Sequence, residues 1–222
     1  VSINHLGDWG TQFGKLLCAF HHWGDKAAIE EKGVNALIEL YVRFEKEADD
    51  AMQEEARVWF KKIEDDDPEA LELFSWFKDI TLKDVARIYD MLDVHFDSYA
   101  GESFYKDKCG VVIEELREKK LLEFSEGAYV VKLDAFDMPP CILLKSDGAS
   151  IYATRDMAAA FYRKKTYDFD KCLYIVAYQQ NLHFKHVFKV IELMGYPWAK
   201  DLVHVPFGMV SFEGETLSTR KG

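Results

Sequence analysis

From Ala149 to Val210 the apolar residues change rhythm repeatedly, and few folds accommodate that order. Ala149–Thr154 reads as a strand and Arg155–Lys165 as a helix. Lys171–Ala177 is a continuous apolar run of strand length, Asn181–Met194 a helix stopped by Gly195 and Pro197, and Val203–Val210 a strand. Such an alternation predicts a parallel, doubly wound sheet, because parallel strands need crossover connections to return to the same end. The second helix shows its buried stripe as Phe184, Val187, Phe188, Ile191 and Met194.

Open α/β sheets bind ligands beyond the carboxyl ends of their strands. The residues at those ends are therefore the candidates. Tyr152-Ala153-Thr154-Arg155-Asp156 ends the first strand, and Gln179-Gln180-Asn181-Leu182-His183 follows the second. His204-Val205-Pro206-Phe207-Gly208-Met209-Val210 closes the third, before the run Leu217-Ser218-Thr219-Arg220-Lys221-Gly222.

Upstream, Val1–Leu6 reads as a short strand, Thr11–Trp23 as a helix closed by Gly24, and Asp25 to about Asp93 as almost continuously helical. Leu37, Tyr41, Phe44 and Ala48 recur there at helical spacing, and Pro68 suits the first turn of a helix. Val111–Leu122 reads as an amphipathic helix, with Ala128–Leu133 and Ile142–Lys145 as short strands. Three glycines in Gly7-Asp8-Trp9-Gly10-Thr11-Gln12-Phe13-Gly14 point to close backbone approach or positive φ, or else to a plain tight connection.

A chain of 222 residues with 49% apolar content can bury a good core. No long uncharged apolar run predicts a membrane span, and Val1-Ser2-Ile3-Asn4-His5 has no signal-peptide pattern. Val1 is not a start methionine, as expected of a piece of something longer. Four dispersed cysteines with no Cys-x-x-Cys pair argue against structural zinc and disulfides, and fit a reducing cytoplasm. The net charge of −11 speaks against a nucleic-acid partner, but it is unevenly spread. Residues 45–79 carry 13 acidic and 5 basic side chains, whereas residues 151–222 carry 7 and 10. The acidic stretch reads as a solvated face over a packed one.

Asp156, in the first turn of a helix after a strand, is favoured as an anion by the helix dipole, by roughly 0.3–1 kcal/mol. A carboxylate there suits a cation and can take a guanidinium on two prongs. The plainer reading is that Asp156 only stabilises its own helix. Tyr152, four residues earlier, can line the same pocket, and Gln180 can orient a polar ligand. His183 and His186 lie off the apolar stripe, where histidines are usually solvated; the rim position gives His183 its weight. Ser218, Thr219, Arg220 and Lys221 offer hydroxyls and cations to a polyphosphate, or are a basic terminus. There is no Gly-x-x-x-x-Gly-Lys-[Ser/Thr] loop, no His-Glu-x-x-His and no Gly-x-Ser-x-Gly.

Taken in order, these segments resemble the arginyl-tRNA synthetase family. The resemblance rests on Asn4-His5-Leu6-Gly7-Asp8-Trp9-Gly10-Thr11-Gln12-Phe13-Gly14, Phe96-Asp97-Ser98-Tyr99-x-Gly101-Glu102-Ser103 and Tyr152-x-Thr-Arg-Asp156. It continues through Gln179-Gln180-x-Leu-His183, Val205-Pro-Phe-Gly-Met-Val210 and Ser218-Thr-Arg-Lys-Gly222, covering essentially the whole chain. It implies a class I Rossmann-type catalytic domain split by a largely helical connective-peptide insertion. Residues 1–24 and 145–222 would be the two parts of the split domain, and residues 25–144 the insertion.

The resemblance further implies that Tyr152, Asp156 and Gln180 bind the arginine side chain. His183, Gly208, Met209 and Val210 would bind ATP, and Ser218, Thr219, Arg220 and Lys221 would steady its phosphates. The partners implied are arginine, ATP, Mg²⁺ with the ATP, and tRNA(Arg), with no protein-bound metal and no membrane. The signature's first lysine is replaced by Thr216, so Arg220 or Lys221 would supply the cation. The His-x-Gly-His signature and the anticodon-binding domain are absent, so this chain alone is expected to lack pyrophosphate exchange. The alternative is a non-catalytic module, binding a tRNA acceptor end or a protein on a Rossmann scaffold.

Overall fold

The computed structural model describes residues 1–209, 211–212 and 215–216. They form two compact units, Val1–Gly101 and Glu102–Thr216. The first is helical: α1 (Thr11–Trp23), α2 (Lys26–Lys32), α3 (Val34–Glu47), α4 (Asp50–Glu64) and α5 (Pro68–Met91). Three of these helices start where an aspartate can accept an orphan backbone N–H. Asp25 caps α2 through Ala27, Asp49 caps α4 through Met52, and Asp67 caps α5 through Ala70 ahead of Pro68.

The core of this unit gathers Leu17 and Cys18 of α1, Leu37, Leu40 and Phe44 of α3, Trp59 and Ile63 of α4, and Phe74 and Phe77 of α5. Each such large side chain contributes about 1.5–3 kcal/mol of burial. Gly14 lets α1 lie against α4, since a Cβ there would run into the Ala56 carbonyl and the Phe60 backbone. Trp9 packs edge-on to Phe60 and Phe74, with centroids 5.4 and 6.2 Å away, while Lys78 pairs with buried Asp8 at 2.5 Å. Gly14 thus shows the close backbone approach expected of a glycine in this loop, and Gly10 the positive φ, 143°. Val1–Leu6 is not the expected strand: only Ile3 bridges to Ser98.

The second unit contains α6 (Cys109–Glu118), β1 (Glu123–Ser125), β2 (Ala128–Val131), β3 (Cys141–Lys145), α7 (Tyr152–Tyr167), β4 (Cys172–Ala177), α8 (Asn181–Leu193), β5 (Leu202–Phe207), β6 (Ser211–Phe212) and β7 (Glu215–Thr216). β1, β2 and β3 form an antiparallel meander, β4 and β5 a parallel pair, and β6 and β7 an antiparallel pair. The result is a helix-rich α/β chain with small sheets. Its parallel pairing is β4–β5, in register from Cys172↔Leu202 to Ala177↔Phe207, with α8 as the crossover.

The expected strand Ala149–Thr154 does not form. Asp147 accepts the N–H of Ala149, Gly148 takes φ 85°, and the chain turns back so that α7 already begins at Tyr152. Ile151, Tyr152 and Thr154 have strand propensity, but tertiary packing overrides it. Ala153, Met157, Ala158 and Ala160 are buried, and the Thr154 hydroxyl donates to the carbonyl of Leu143 in β3. β5 also stops at Phe207, short of the expected Val210, which lies outside the described residues. The cysteines sit apart: Cys18, Cys109 and Cys141 are buried and Cys172 is partly covered, all as free thiols.

Candidate functional site

In the first two turns of α7, Tyr152, Thr154, Arg155 and Asp156 each make a defined side-chain contact. Thr154 ties the helix to β3. Arg155 turns to Glu102, its Nε donating to Oε2 at 2.8 Å with side chains 12% and 22% exposed. Tyr152 and Asp156, four residues apart, share one helix face. Both meet His183 in the first turn of α8. The Tyr152 ring lies 4.7 Å from the imidazole centroid, tilted by 45°. His183 Nε2 lies 2.5 Å from Asp156 Oδ2, with side chains only 8% and 16% exposed. An ionised carboxylate only accepts, so the Nε2 proton is donated to Asp156.

Behind this trio the wall is aromatic. Phe184 lies 4.6 Å from the ring of His204 in β5 and 5.0 Å from Tyr174 in β4. Tyr174 and His204 are register partners across the parallel pair, and His204 Nε2 donates to the Val176 carbonyl at 2.9 Å. Burial pushes the Tyr174 phenol up, keeping it protonated. His186, one turn beyond His183, is held below its ordinary value of 6.5, by burial and then by the charge of His183. The site thus offers a partly covered carboxylate, a half-exposed tyrosine and apolar walls. That combination can bind a cationic head group on a flat, partly aromatic bed.

The structure brings together Tyr152, Asp156 and His183 from the sequence-based candidates. Asp156 stands in the second turn of α7, one turn further in than expected, so the helix dipole favours its charge less and the hydrogen bond from His183 more. His183 is not the solvated histidine its position off the stripe suggested. Gln180 stands at the N-cap position of α8, exposed and without a side-chain capping bond, and no described contact ties it to the trio. Gly208 and Met209 follow β5, both exposed. Val210, Ser218, Thr219, Arg220 and Lys221 lie outside the described residues. Sequence reasoning gave no role to Glu102, although the motif Phe96–Ser103 contains it; its partner Arg155 is 53 positions away.

Two other places have site-like features. A cavity of about 700 Å³ near the carboxyl end of α8 is lined by Phe188, Lys189, Tyr196 and Lys200 among others, but includes none of the trio. Among the described residues, Cys18, His22 and Glu55 bring sulfur, nitrogen and oxygen within 4.8 Å of one another. Glu55 already accepts from His22 at 2.8 Å, which holds its carboxyl below the usual range. Burial and then Glu55 push the Cys18 thiol up to about 12. In this set the His22–Glu55 hydrogen bond sits beside a thiol that keeps its proton.

Residues 1–222 match the family model for class I (R) tRNA synthetases, catalytic domain. The chain is 58% identical to the arginine–tRNA ligase of Clostridioides difficile and 56% identical to that of Alkaliphilus metalliredigens, in each case over all of this chain and 40% of the relative. Among solved structures it is similar to arginyl-tRNA synthetase from Plasmodium falciparum, with TM-score 0.76 and 26% identity over 94% of this chain and 36% of that one. It also shares the fold of the Thermus thermophilus arginyl-tRNA synthetase, with TM-score 0.65 and 19% identity, covering 97% of this chain and 43% of that one. The chain spans 40% of the length of these curated relatives.

Proposed function

Because the chain belongs to the family of class I (R) tRNA synthetase catalytic domains, we propose that it is the catalytic region of an enzyme joining arginine to tRNA(Arg). Arginine and ATP give arginyl-adenylate and pyrophosphate, and the arginyl group then passes to the terminal ribose of the tRNA. The arginine carboxylate attacks the α-phosphorus in line, so the protein's work is positioning and offsetting phosphate charge.

In this reading Asp156 pairs with the guanidinium, Tyr152 lies against it and Gln180 supplies a polar contact. Gly208, Met209 and Val210 would bind ATP, and Ser218, Thr219, Arg220 and Lys221 would offset the charge of its phosphates. Lysine is rejected because a single ammonium leaves acceptors of the site unpaired, at about 1–3 kcal/mol each. Among the described residues the one candidate metal trio includes a thiol and an imidazole, a poor set for Mg²⁺. Mg²⁺ would therefore arrive on the ATP phosphates, and no step depends on a protein cage for it.

The same reading makes residues 1–24 and 145–222 the parts of a Rossmann-type domain split by an insertion. Support comes from the β4–α8–β5 crossover and from the exposed apolar side chains Leu173, Ile175, Val205 and Phe207 on that pair. An uncovered apolar face on two strands belongs to a larger sheet or layer. No helix among the described residues is long and apolar enough to cross a membrane.

The observation that carries the assignment is the partly buried Asp156 carboxylate beside Tyr152. In the complete enzyme, Asp156→Asn is expected to raise the arginine KM roughly 10- to 100-fold, as loss of a charge-assisted hydrogen bond does, with the ATP KM little changed. Unchanged arginine kinetics would overturn the assignment of Asp156 to the arginine side chain.

A further inference from the structure

We infer that His183 is a positioning residue for the arginine pocket: its imidazole fixes the orientation of the Asp156 carboxylate, and it does not contact the nucleotide. This rests on the reading of Asp156 as the guanidinium partner.

His183 has little left to offer a second ligand. Its Nε2 is engaged by Asp156 Oδ2, one ring neighbour is Tyr152 at 4.7 Å, and another is Phe184 at 5.0 Å. With a side chain 8% exposed, it presents little surface to a second ligand. A carboxylate on a helix rotates about its terminal torsion within a broad well. A guanidinium fork, however, bonds two-pronged only when the carboxylate plane is aligned with it. A fixed donor on Oδ2 supplies that alignment. The oxygen keeps accepting capacity, since an ionised carboxylate has about four lone-pair sites.

The neighbouring contacts support the same geometry. Arg155 is drawn to Glu102 and Thr154 to Leu143, so the α7 segment bearing Asp156 is pinned on both sides. His183 is pinned through Phe184, whose ring packs on Tyr174 and His204. Donor and acceptor therefore sit on two elements fixed independently, as a preorganised site needs. Binding arginine then requires no ordering of the acceptor.

The test uses arginine-dependent ATP–pyrophosphate exchange in the complete enzyme, comparing His183→Gln with His183→Asn. A glutamine amide nitrogen reaches the position of Nε2; an asparagine amide stops short. His183→Asn is expected to raise the arginine KM by roughly tenfold, leaving the ATP KM within about twofold, and His183→Gln to recover most of that loss. When Asp156→Asn is already present, adding His183→Asn is expected to change little, because both disturb one interaction. A rise in the ATP KM with arginine unaffected would overturn the inference and return His183 to the nucleotide. Equal losses in the two His183 variants, or full additivity with Asp156→Asn, would also overturn it. If Asp156→Asn alone leaves arginine use unchanged, the arginine reading itself fails, a result distinct from the others.

Discussion

Charged residues do different jobs in the helical unit and around α7. Along α3 and α4 many pairs are local and wet. Arg43 meets Glu47 four residues on and Arg57 meets Glu54 three residues back, with side chains 47–67% exposed. At the start of α7 two pairs are distant in sequence and largely covered: Asp156 with His183, 27 positions apart, and Arg155 with Glu102, 53 apart. A wet local pair gains little, because water and salt screen it and two side chains lose freedom. A covered distant pair locks two elements to each other, and each partner is costly to leave alone. The acidic face of the first unit keeps its surface in water; the few charges of the α7 region fix geometry.

Removing one partner from each kind of pair would break this contrast if it is wrong. Arg155→Ala strands the Glu102 carboxylate and is expected to lower stability by about 1–3 kcal/mol in urea unfolding, less than a fully buried pair because both groups retain some solvent. An effect no larger than that of a surface pair would remove the distinction.

The next effect is smaller and comes from acid. His186 is held below 6.5 in the fold, so the unfolded chain takes up the proton first. No penalty exists above about pH 6.5, and stability is expected to decline as the pH falls from there toward the folded value. Urea midpoints at pH 7.5 and 5.5 measure that decline, and His186→Gln should make it shallower. An unaltered slope would assign the acid sensitivity elsewhere. Smallest of all, Arg57→Ala should move stability by no more than about 0.5 kcal/mol, and added salt should leave even less.

How legible this was depended on the range of the deciding interaction. Thr11–Trp23 reads correctly to the residue and α8 to within one, because a 3.6-residue stripe and a closing glycine, Gly24 or Gly195, specify them. Lys171–Ala177 reads correctly to within one residue because its run is almost wholly apolar, although Leu173 and Ile175 lie exposed on the strand. β1 is missed: Glu123–Ser125 is three residues long, and its signal is the turn at Glu126 and Gly127, both at positive φ. Tyr152 to Thr154 reads as strand because its side chains favour one, while the bond that settles it reaches back to Leu143. Asp156 stood out through its residue type and family pattern. Its bond to His183 could not, since no local rule links positions on two helices.

The buried thiols carry a different consequence. Alkylating reagents attack thiolates, and in the fold these groups hold on to their protons: burial, with Glu55 adding at Cys18, pushes Cys18 and Cys141 up to about 12, and burial raises Cys109 and Cys172 as well. The folded chain is thus chemically quiet toward iodoacetamide at neutral pH, whereas each opened region becomes reactive. Cys18 belongs to the first unit and the other three to the second. The rates at which mass tags accumulate at these positions would clock the opening of each unit separately, without any engineered label.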